Sequence, residues 1–151
     1  MQKSNKKSDY LKYWKVVRTF IKAKYGLSTS DLDMLLFLYN EGYFSKSDFN
    51  EFNQVLSWDT GRFNRLHAKE WIITFRKGSG PRKPIYEISF KGKKVIKSMY
   101  DKLEGQEFPE SRSANPMFRT NVPYTYKVHR NLIKKINKII QQQRHQTQKS
   151  Q

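Results

Sequence analysis

Two clusters of basic residues stand out for the chemistry they could perform. The stretch RKGSGPRKP, residues 76–84, places four basic side chains around a Gly-Ser-Gly-Pro turn. Just before it, a predicted helix places Arg62, Arg65 and Lys69 on one side of the helical wheel, with small residues beside them. Guanidinium and ammonium groups bind phosphate oxygens, so both clusters predict a cationic surface for a polyanion.

Catalytic chemistry has little support. The sequence has no phosphate-binding Gly loop ending in Lys-Ser/Thr, no nucleophile elbow and no paired carboxylates in an apolar setting. It has no cysteine, and its three histidines, His67, His129 and His145, are far apart in sequence. Disulfides and thiolate metal sites are therefore excluded, and His67 is expected to be a packed imidazole. We expect no enzyme activity, no metal site and no cofactor.

The net charge of the 151-residue chain is +17, and it is unevenly distributed. Residues 1–24, 76–97 and 127–151 each carry +7, whereas residues 25–61 carry −5. Such segregation indicates that the basic blocks share one footprint on a polyanionic partner, for which nucleic acid is the leading candidate.

The sequence has neither a leader-like nor a membrane-spanning pattern. The first ten residues, MQKSNKKSDY, are polar, and the longest apolar run, MLLFLY at 34–39, is far shorter than the roughly 20 residues of a membrane helix. We therefore expect an intracellular, cytoplasmic protein that can associate with the nucleoid and has no membrane partner.

Apolar residues at three- and four-residue spacing predict a mainly α protein with one small β-hairpin. Ser28 or Ser30 is expected to cap the second helix, and Ser45 with Asp48 resembles a capping box at the third. Ser57 or Asp59 is the expected cap of the fourth. The main predicted elements are helices over residues 9–25, 59–69 and 91–103, strands over 71–75 and 85–89, and a final helix in the last block.

Composition divides the chain into four parts. A flexible basic N-terminus covers residues 1–8, and a domain with its own core covers residues 9–105. An extended, proline-containing arm follows over residues 106–126, and it is expected to lie over the core. Residues 127–151 form a basic amphipathic helix with a frayed tail.

The order of helices, basic-tipped hairpin and further helix is that of a winged helix-turn-helix domain. Over roughly residues 8–105 the sequence resembles the MarR-type family of winged-helix DNA-binding proteins. LHAKEWI (66–72) resembles the end of that family's recognition helix, running into the first wing strand. RKPIYEISFKG (82–92) resembles the family's wing pattern, with Arg82, Ile88, Ser89 and Gly92 in the positions of its Arg, Leu, Thr and Gly.

The sequence departs from the family at two positions. Gly80 stands where the family usually has an acid two residues before the wing arginine, and Glu70 stands where it has a small turn residue.

The resemblance implies a transcriptional regulator that binds double-stranded DNA as a homodimer. Helix 59–69 would lie in the major groove, and wing 76–84 would lie against the minor groove. Arg62 and Arg65 would reach guanine edges or flanking phosphates, and Asn64 would pair with adenine. The remaining residues would hold the backbone or enter or straddle the minor groove. The expected DNA-binding residues are Thr60, Arg62, Asn64, Arg65, Lys69, Arg76, Lys77, Arg82 and Lys83.

Two other functions stay open. In one, the protein is a non-enzymatic structural or assembly protein whose winged helix and residues 106–151 dock on protein partners of a nucleoprotein particle. The arm FPESRSANPMFRTNVPYTY suggests this, because an aromatic- and proline-bearing extension can wrap a neighbour. In the other, the protein binds RNA or single-stranded nucleic acid.

Overall fold

A computed structural model describes the chain over residues 10–150, with side chains described up to residue 147. The predicted flexible segment 1–8 lies outside the described residues. The elements in chain order are helix α1 (Tyr10–Tyr25), helix α2 (Thr29–Tyr39), strand β1 (Tyr43–Phe44), helix α3 (Lys46–Val55), helix α4 (Arg62–Ala68), strands β2 (Ile72–Arg76) and β3 (Ile85–Ile88), helix α5 (Phe90–Leu103), a 3-10 turn (Pro116–Phe118) and helix α6 (Tyr124–Ser150).

The chain forms two compact units. Residues Leu27–Ser98 make the first, which we call the winged-helix unit. The stretch up to Gly26 and the stretch from Met99 onward make the second, which we call the terminal unit. The element order of the winged-helix unit confirms the predicted fold class, a mainly α winged helix-turn-helix with a small antiparallel sheet.

The sheet has three strands, whereas the sequence predicted only the hairpin of β2 and β3. Strand β1 pairs with β3, giving the order β1-β3-β2, with Tyr43 opposite Glu87 and Ile72 opposite Ile88. Strand β1 is two residues long, which is too short for an alternating pattern to be recognised in the sequence.

Aromatic rings pack the middle of the winged-helix unit. Phe49 meets Phe63 edge to face with ring centroids 5.2 Å apart, and Phe63 meets Tyr86 in the same way at 4.9 Å. Such geometry places the positive ring edge on the negative ring face. The aliphatic part of this core includes Leu32, Leu35, Leu38, Leu66, Ile72 and Ile88.

The helix starts of this unit follow local capping chemistry. Ser28 is the cap of α2, since its hydroxyl accepts a hydrogen bond from the Asp31 amide at 3.1 Å. The predicted capping box of Ser45 and Asp48 is confirmed at α3, with reciprocal bonds of 3.1 and 3.0 Å. These bonds satisfy amides that would otherwise lack an intrahelical partner.

Helix α4 is shorter than the predicted helix 59–69. Asp59 is not the N-cap of α4, because the helix begins only at Arg62. The Asp59 Oδ1 instead accepts a hydrogen bond from the Gly61 amide at 2.9 Å and closes a tight turn before the helix. At the other end, the Trp71 amide donates to the Leu66 carbonyl at 2.9 Å, and the Glu70 amide donates to the His67 carbonyl at 3.1 Å. This is a Schellman motif.

The terminal unit holds the proline-containing arm against two helices. Phe108 meets Phe20 of α1 edge to face at 5.5 Å, and Met117 is fully buried. The Asn137 side chain of α6 donates to the Phe108 carbonyl at 2.9 Å and accepts from the Phe108 amide at 2.8 Å. Helix α6 continues to Ser150, through the tail that was predicted to fray.

Glu70 occupies the position of the Schellman motif that favours glycine. Its φ is 62°, in the left-handed region, where a side chain costs roughly 1–2 kcal/mol. We expect Glu70→Gly to raise the free energy of unfolding by about 1 kcal/mol, measured by urea denaturation, because relief of this strain outweighs the extra entropy of glycine in the unfolded chain.

Glu41 is a matched control, because it is also an exposed acid in a turn just after a helix, but it is not among the described residues with positive φ. Glu41→Gly should therefore lower the free energy of unfolding by several tenths of a kcal/mol. A loss of stability in Glu70→Gly would contradict the assignment of strain.

Candidate nucleic-acid interface

A buried polar cluster holds the start of α4. Arg62 is only 2% exposed, and its Nε donates to Asp31 Oδ1 of α2 at 3.0 Å. Its Nη1 donates to the Ser57 carbonyl at 2.9 Å and to the side-chain oxygen of Asn53 in α3. The Asn53 side chain in turn donates to the Asp59 carbonyl at 2.9 Å. We call the side chains of Asp31, Asn53, Asp59, Arg62 and Arg65 the Asp31 cluster.

Arg65 completes this cluster. It binds Asp31 through two parallel bonds, Nε to Oδ2 at 2.9 Å and Nη2 to Oδ1 at 2.8 Å, and Nη2 also donates to Asp59 Oδ2 at 3.0 Å. Burial alone would raise the pKa of Asp31, but the hydrogen bonds from Arg65 and Arg62 hold this pKa below its usual value. Hydrogen bonds to Asp31 and Asp59 likewise raise the pKa of Arg65, so that Asp31, Asp59 and Arg65 are all charged at neutral pH.

The prediction that Arg62 and Arg65 form an exposed cationic face with Lys69 is therefore wrong. Arg62 lies inside the unit, and the Arg65 guanidinium, although its side chain is 36% exposed, is held by two aspartates. The helical wheel missed this arrangement because the partner carboxylate comes from α2, far away in sequence. The periodicity of residues within one helix cannot predict an ion pair with a residue of another helix.

The exposed side of α4 and its flanks is largely uncharged. Asn64 projects from this side, and the small residues Gly61 and Ala68 leave room for another surface. Of the predicted contact residues in this region, the structure exposes Thr60, Asn64 and Lys69.

His67 was expected to pack toward the core, but it is exposed. Its ring stacks on Phe63 with centroids 5.8 Å apart, and its Nε2 lies 3.0 Å from Thr74 Oγ1 of β2. The imidazole therefore joins α4 to the first wing strand at the protein surface.

The wing ends in a two-residue turn. Ser79 and Arg82 exchange backbone hydrogen bonds of 2.9 and 3.0 Å, so that Gly80 and Pro81 are the central residues. Gly80 has a φ of 60°, which glycine adopts without strain at the first central position of a hairpin turn. At Gly78, a Cβ would lie 2.9 Å from the Arg82 carbonyl oxygen. The two glycines allow a narrow tip.

Most of the wing cations point into solvent. Lys77, Arg82 and Lys83 are exposed, and no carboxylate in the described part of the chain forms an ion pair with them. Arg76 differs, because it is half-buried and its Nη2 donates to the Lys83 carbonyl at 3.2 Å across the hairpin. Arg76 therefore braces the wing.

The base of the wing is tied to α5 by the residues of the family-like pattern. The Ser89 hydroxyl donates to the Trp71 carbonyl at 3.1 Å and accepts the Gly92 amide at 3.0 Å. At Gly92 a Cβ would lie 2.6 Å from Ile88 Cγ2, so only glycine allows this close approach of α5.

Within residues 10–150, no helix is long and apolar enough to cross a membrane. In the same part of the chain, no three His, Asp or Glu side chains are grouped in a way that could hold a metal ion.

We expect Asp31→Asn to lower the free energy of unfolding by about 3 kcal/mol at pH 7, because it leaves Arg62 buried without its counter-charge. Urea denaturation measures this effect. Glu51→Gln is the control, since Glu51 is an exposed acid on α3, and it should change stability by less than about 0.5 kcal/mol. A loss below about 1 kcal/mol in Asp31→Asn would contradict a structural role for the cluster.

Acid should weaken the same interaction. Because the pKa of Asp31 is lowered in the folded state, its contribution to stability is complete above the unfolded value of about 3.9 and is lost as the pH falls through the folded value. Stability measured from pH 6 to pH 3 should therefore decline more steeply in the wild type than in Asp31→Asn. Parallel profiles would show that Asp31 is not the titrating group.

Comparison with known proteins identifies no family. No family model matches the sequence, and no curated protein matches it. The chain is similar to a solved staphylococcal structure described as "Structure of Disulfide formed AbfR". The two are 15% identical, with a TM-score of 0.45, and the alignment covers 92% of this chain and 91% of that one. The present sequence has no cysteine, so it cannot form a disulfide of its own.

Proposed function

We propose that the winged-helix unit binds double-stranded DNA and that the protein is a MarR-like transcriptional regulator. The observation that carries this proposal is the wing, a narrow hairpin whose tip presents Lys77, Arg82 and Lys83 to solvent without acidic partners among the described residues. Phosphate is the ligand that such a cationic projection suits best. Under this proposal the protein is not an enzyme, and it acts on DNA in the cytoplasm.

In this proposal α4 enters the major groove. The amide of Asn64 can pair with both N6 and N7 of an adenine, and Gly61 and Ala68 permit a close approach of the helix. Thr60 and Lys69 are suited to phosphate oxygens on either side. Arg62 and Arg65 are positioning residues here, because they fix α4 through the Asp31 cluster.

The wing supplies most of the affinity. Arg82 and Lys83, beside the Gly-Pro turn, are placed to enter or straddle the minor groove, where the negative potential of DNA is concentrated. Lys77 is suited to a neighbouring phosphate. Arg76 does not contact DNA in this proposal but holds the two sides of the wing together through its hydrogen bond to the Lys83 carbonyl.

A homodimer is part of the proposal. Val128 and Ile139 of α6 are each 40% exposed, and they lie on one face of the helix about three turns apart. Two exposed β-branched residues at this spacing suit association with an identical helix.

The alternative of an assembly protein finds less support. Its motivation was an arm that could wrap a neighbour, but Phe108 and Met117 of that arm are buried in the protein's own terminal unit. Apolar side chains already used in this way contribute little to the capture of a partner.

Charge reversal at the wing is the test of DNA binding. We expect the triple variant Lys77→Glu, Arg82→Glu, Lys83→Glu to bind every duplex at least about tenfold more weakly, and the slope of log affinity against log salt to fall by about 3. Fluorescence anisotropy with several duplexes, each at several salt concentrations, measures both. Asn64→Ala should instead leave the slope unchanged and reduce discrimination at one base pair by about 1–3 kcal/mol.

A second triple variant controls for net charge. Lys127→Glu, Lys134→Glu, Lys138→Glu changes the total charge equally, but on exposed positions of α6 that lie on a different helix face from Val128 and Ile139. It should retain more of the affinity than the wing variant. Equal weakening in both triples would show that binding depends on overall charge and would contradict a specific role for the wing.

A further inference from the structure

A small notch lies between α3 and the start of α4 in the winged-helix unit. Its volume is about 230 Å³, and its lining includes aromatic, amide, hydroxyl and ammonium groups. Trp58 forms one side and is 59% exposed, whereas Trp71 of the same unit is only 5% exposed. The residues of interest in the lining are Lys46, Asn50, Trp58, Thr60, Phe63 and Asn64.

The charge of the notch favours an anion. The Lys46 ammonium lies 4.9 Å from the centroid of the Phe63 ring, which places a positive charge over the apolar part of the lining. Asp59 also lines the notch, but its carboxylate accepts bonds from Arg65 at 3.0 Å and from the Gly61 amide at 2.9 Å. The Asp59 carboxylate is therefore already paired, whereas the contact described for the Lys46 ammonium is with the Phe63 ring alone.

The size of the notch decides what kind of occupant it can take. Small-molecule pockets usually enclose about 300–1,000 Å³, so this notch is too small for a separate effector and suits one part of a larger ligand. Thr60 and Asn64 belong both to the notch and to the exposed side of α4. The notch is thus continuous with the proposed DNA interface.

We propose that the notch receives one sugar–phosphate unit of the DNA strand beside the major groove. Lys46 and Asn50 hold the phosphate, and the indole of Trp58 packs against the deoxyribose. This inference rests on the proposed function and adds a contact that positions α4 without reading sequence. This contact would account for the exposure of Trp58, which lies in the turn between α3 and α4.

Two substitutions separate the phosphate contact from the sugar contact. Lys46→Gln keeps a polar side chain at this position but removes the charge, and it should lower the salt slope of DNA binding by about 1. Trp58→Ala should weaken binding to all duplexes about fivefold and leave the slope unchanged, because the indole is uncharged. Val55→Ala is the control, since Val55 is 72% exposed at the end of α3 and does not line the notch.

Tryptophan fluorescence gives an independent readout on the full chain. Addition of duplex DNA should change the emission of the wild type, and this change should be lost in Trp58→Phe, which keeps Trp14 and Trp71. Thermal unfolding of each variant should match the wild type, because both substituted side chains are exposed.

The outcomes distinguish this inference from the proposed function. The Lys46 and Trp58 variants could bind DNA with the wild-type affinity and salt slope and show the wild-type change in emission. If the wing triple variant still bound more weakly, this result would contradict the proposed contact at the notch but not DNA binding itself. Failure of the wild type to bind any duplex would overturn both.

Discussion

The winged-helix unit depends on one buried carboxylate. Asp31 is 5% exposed and lies between two guanidinium groups, those of Arg62 and Arg65. Removing such charges from water costs several kcal/mol per ion, and only good geometry with full hydrogen bonding offsets that cost. The cluster meets this condition, since Arg65 binds Asp31 through two parallel bonds, and Asn53 and Ser57 occupy further donors of Arg62. It thereby fixes α4 against α2 and α3.

This use of arginine determines how the surface can work. Because two of the positive charges of α4 are used internally, the exposed side of the helix is nearly neutral and offers an amide, a hydroxyl and small residues. Under the proposed function, α4 then contributes choice of sequence, and the wing and other exposed lysines contribute affinity. Neutral groups read base edges with little dependence on salt, whereas cations bind phosphate with a strong dependence on it.

Local chemistry in the sequence was sufficient for much of the fold. The capping box at Ser45, the end of helix α1 at Tyr25 and the Gly-Pro tip of the wing all depend on residues within a few positions of one another. Strand β1 could not be predicted, because two residues show no period and their pairing with β3 is long-range. The burial of Arg62 could not be predicted for a related reason. A helical wheel takes an arginine to be solvent-exposed, and only the fold brings Asp31 to it.

The junction between α4 and the wing contains a strained residue, Glu70, between two proposed contact surfaces. Glu70 adopts a left-handed conformation so that the chain can turn directly from α4 into β2. The Trp71 carbonyl then accepts both the amide and the hydroxyl of Ser89. Lys91 covers the Trp71 ring, with its ammonium 4.0 Å from the ring centroid, and donates to the Lys69 carbonyl at 3.0 Å.

Helix and wing are therefore joined by a short connection with several hydrogen bonds. A ligand that contacts both surfaces need not order them first, which lowers the entropic cost of binding. A more flexible junction would relieve the strain at Glu70 but would have to be ordered again in each complex. The hydrogen-bonded turn, the paired strands and the Asp31 cluster all hold α4 and the wing in one arrangement, which under the proposed function exists before DNA binds.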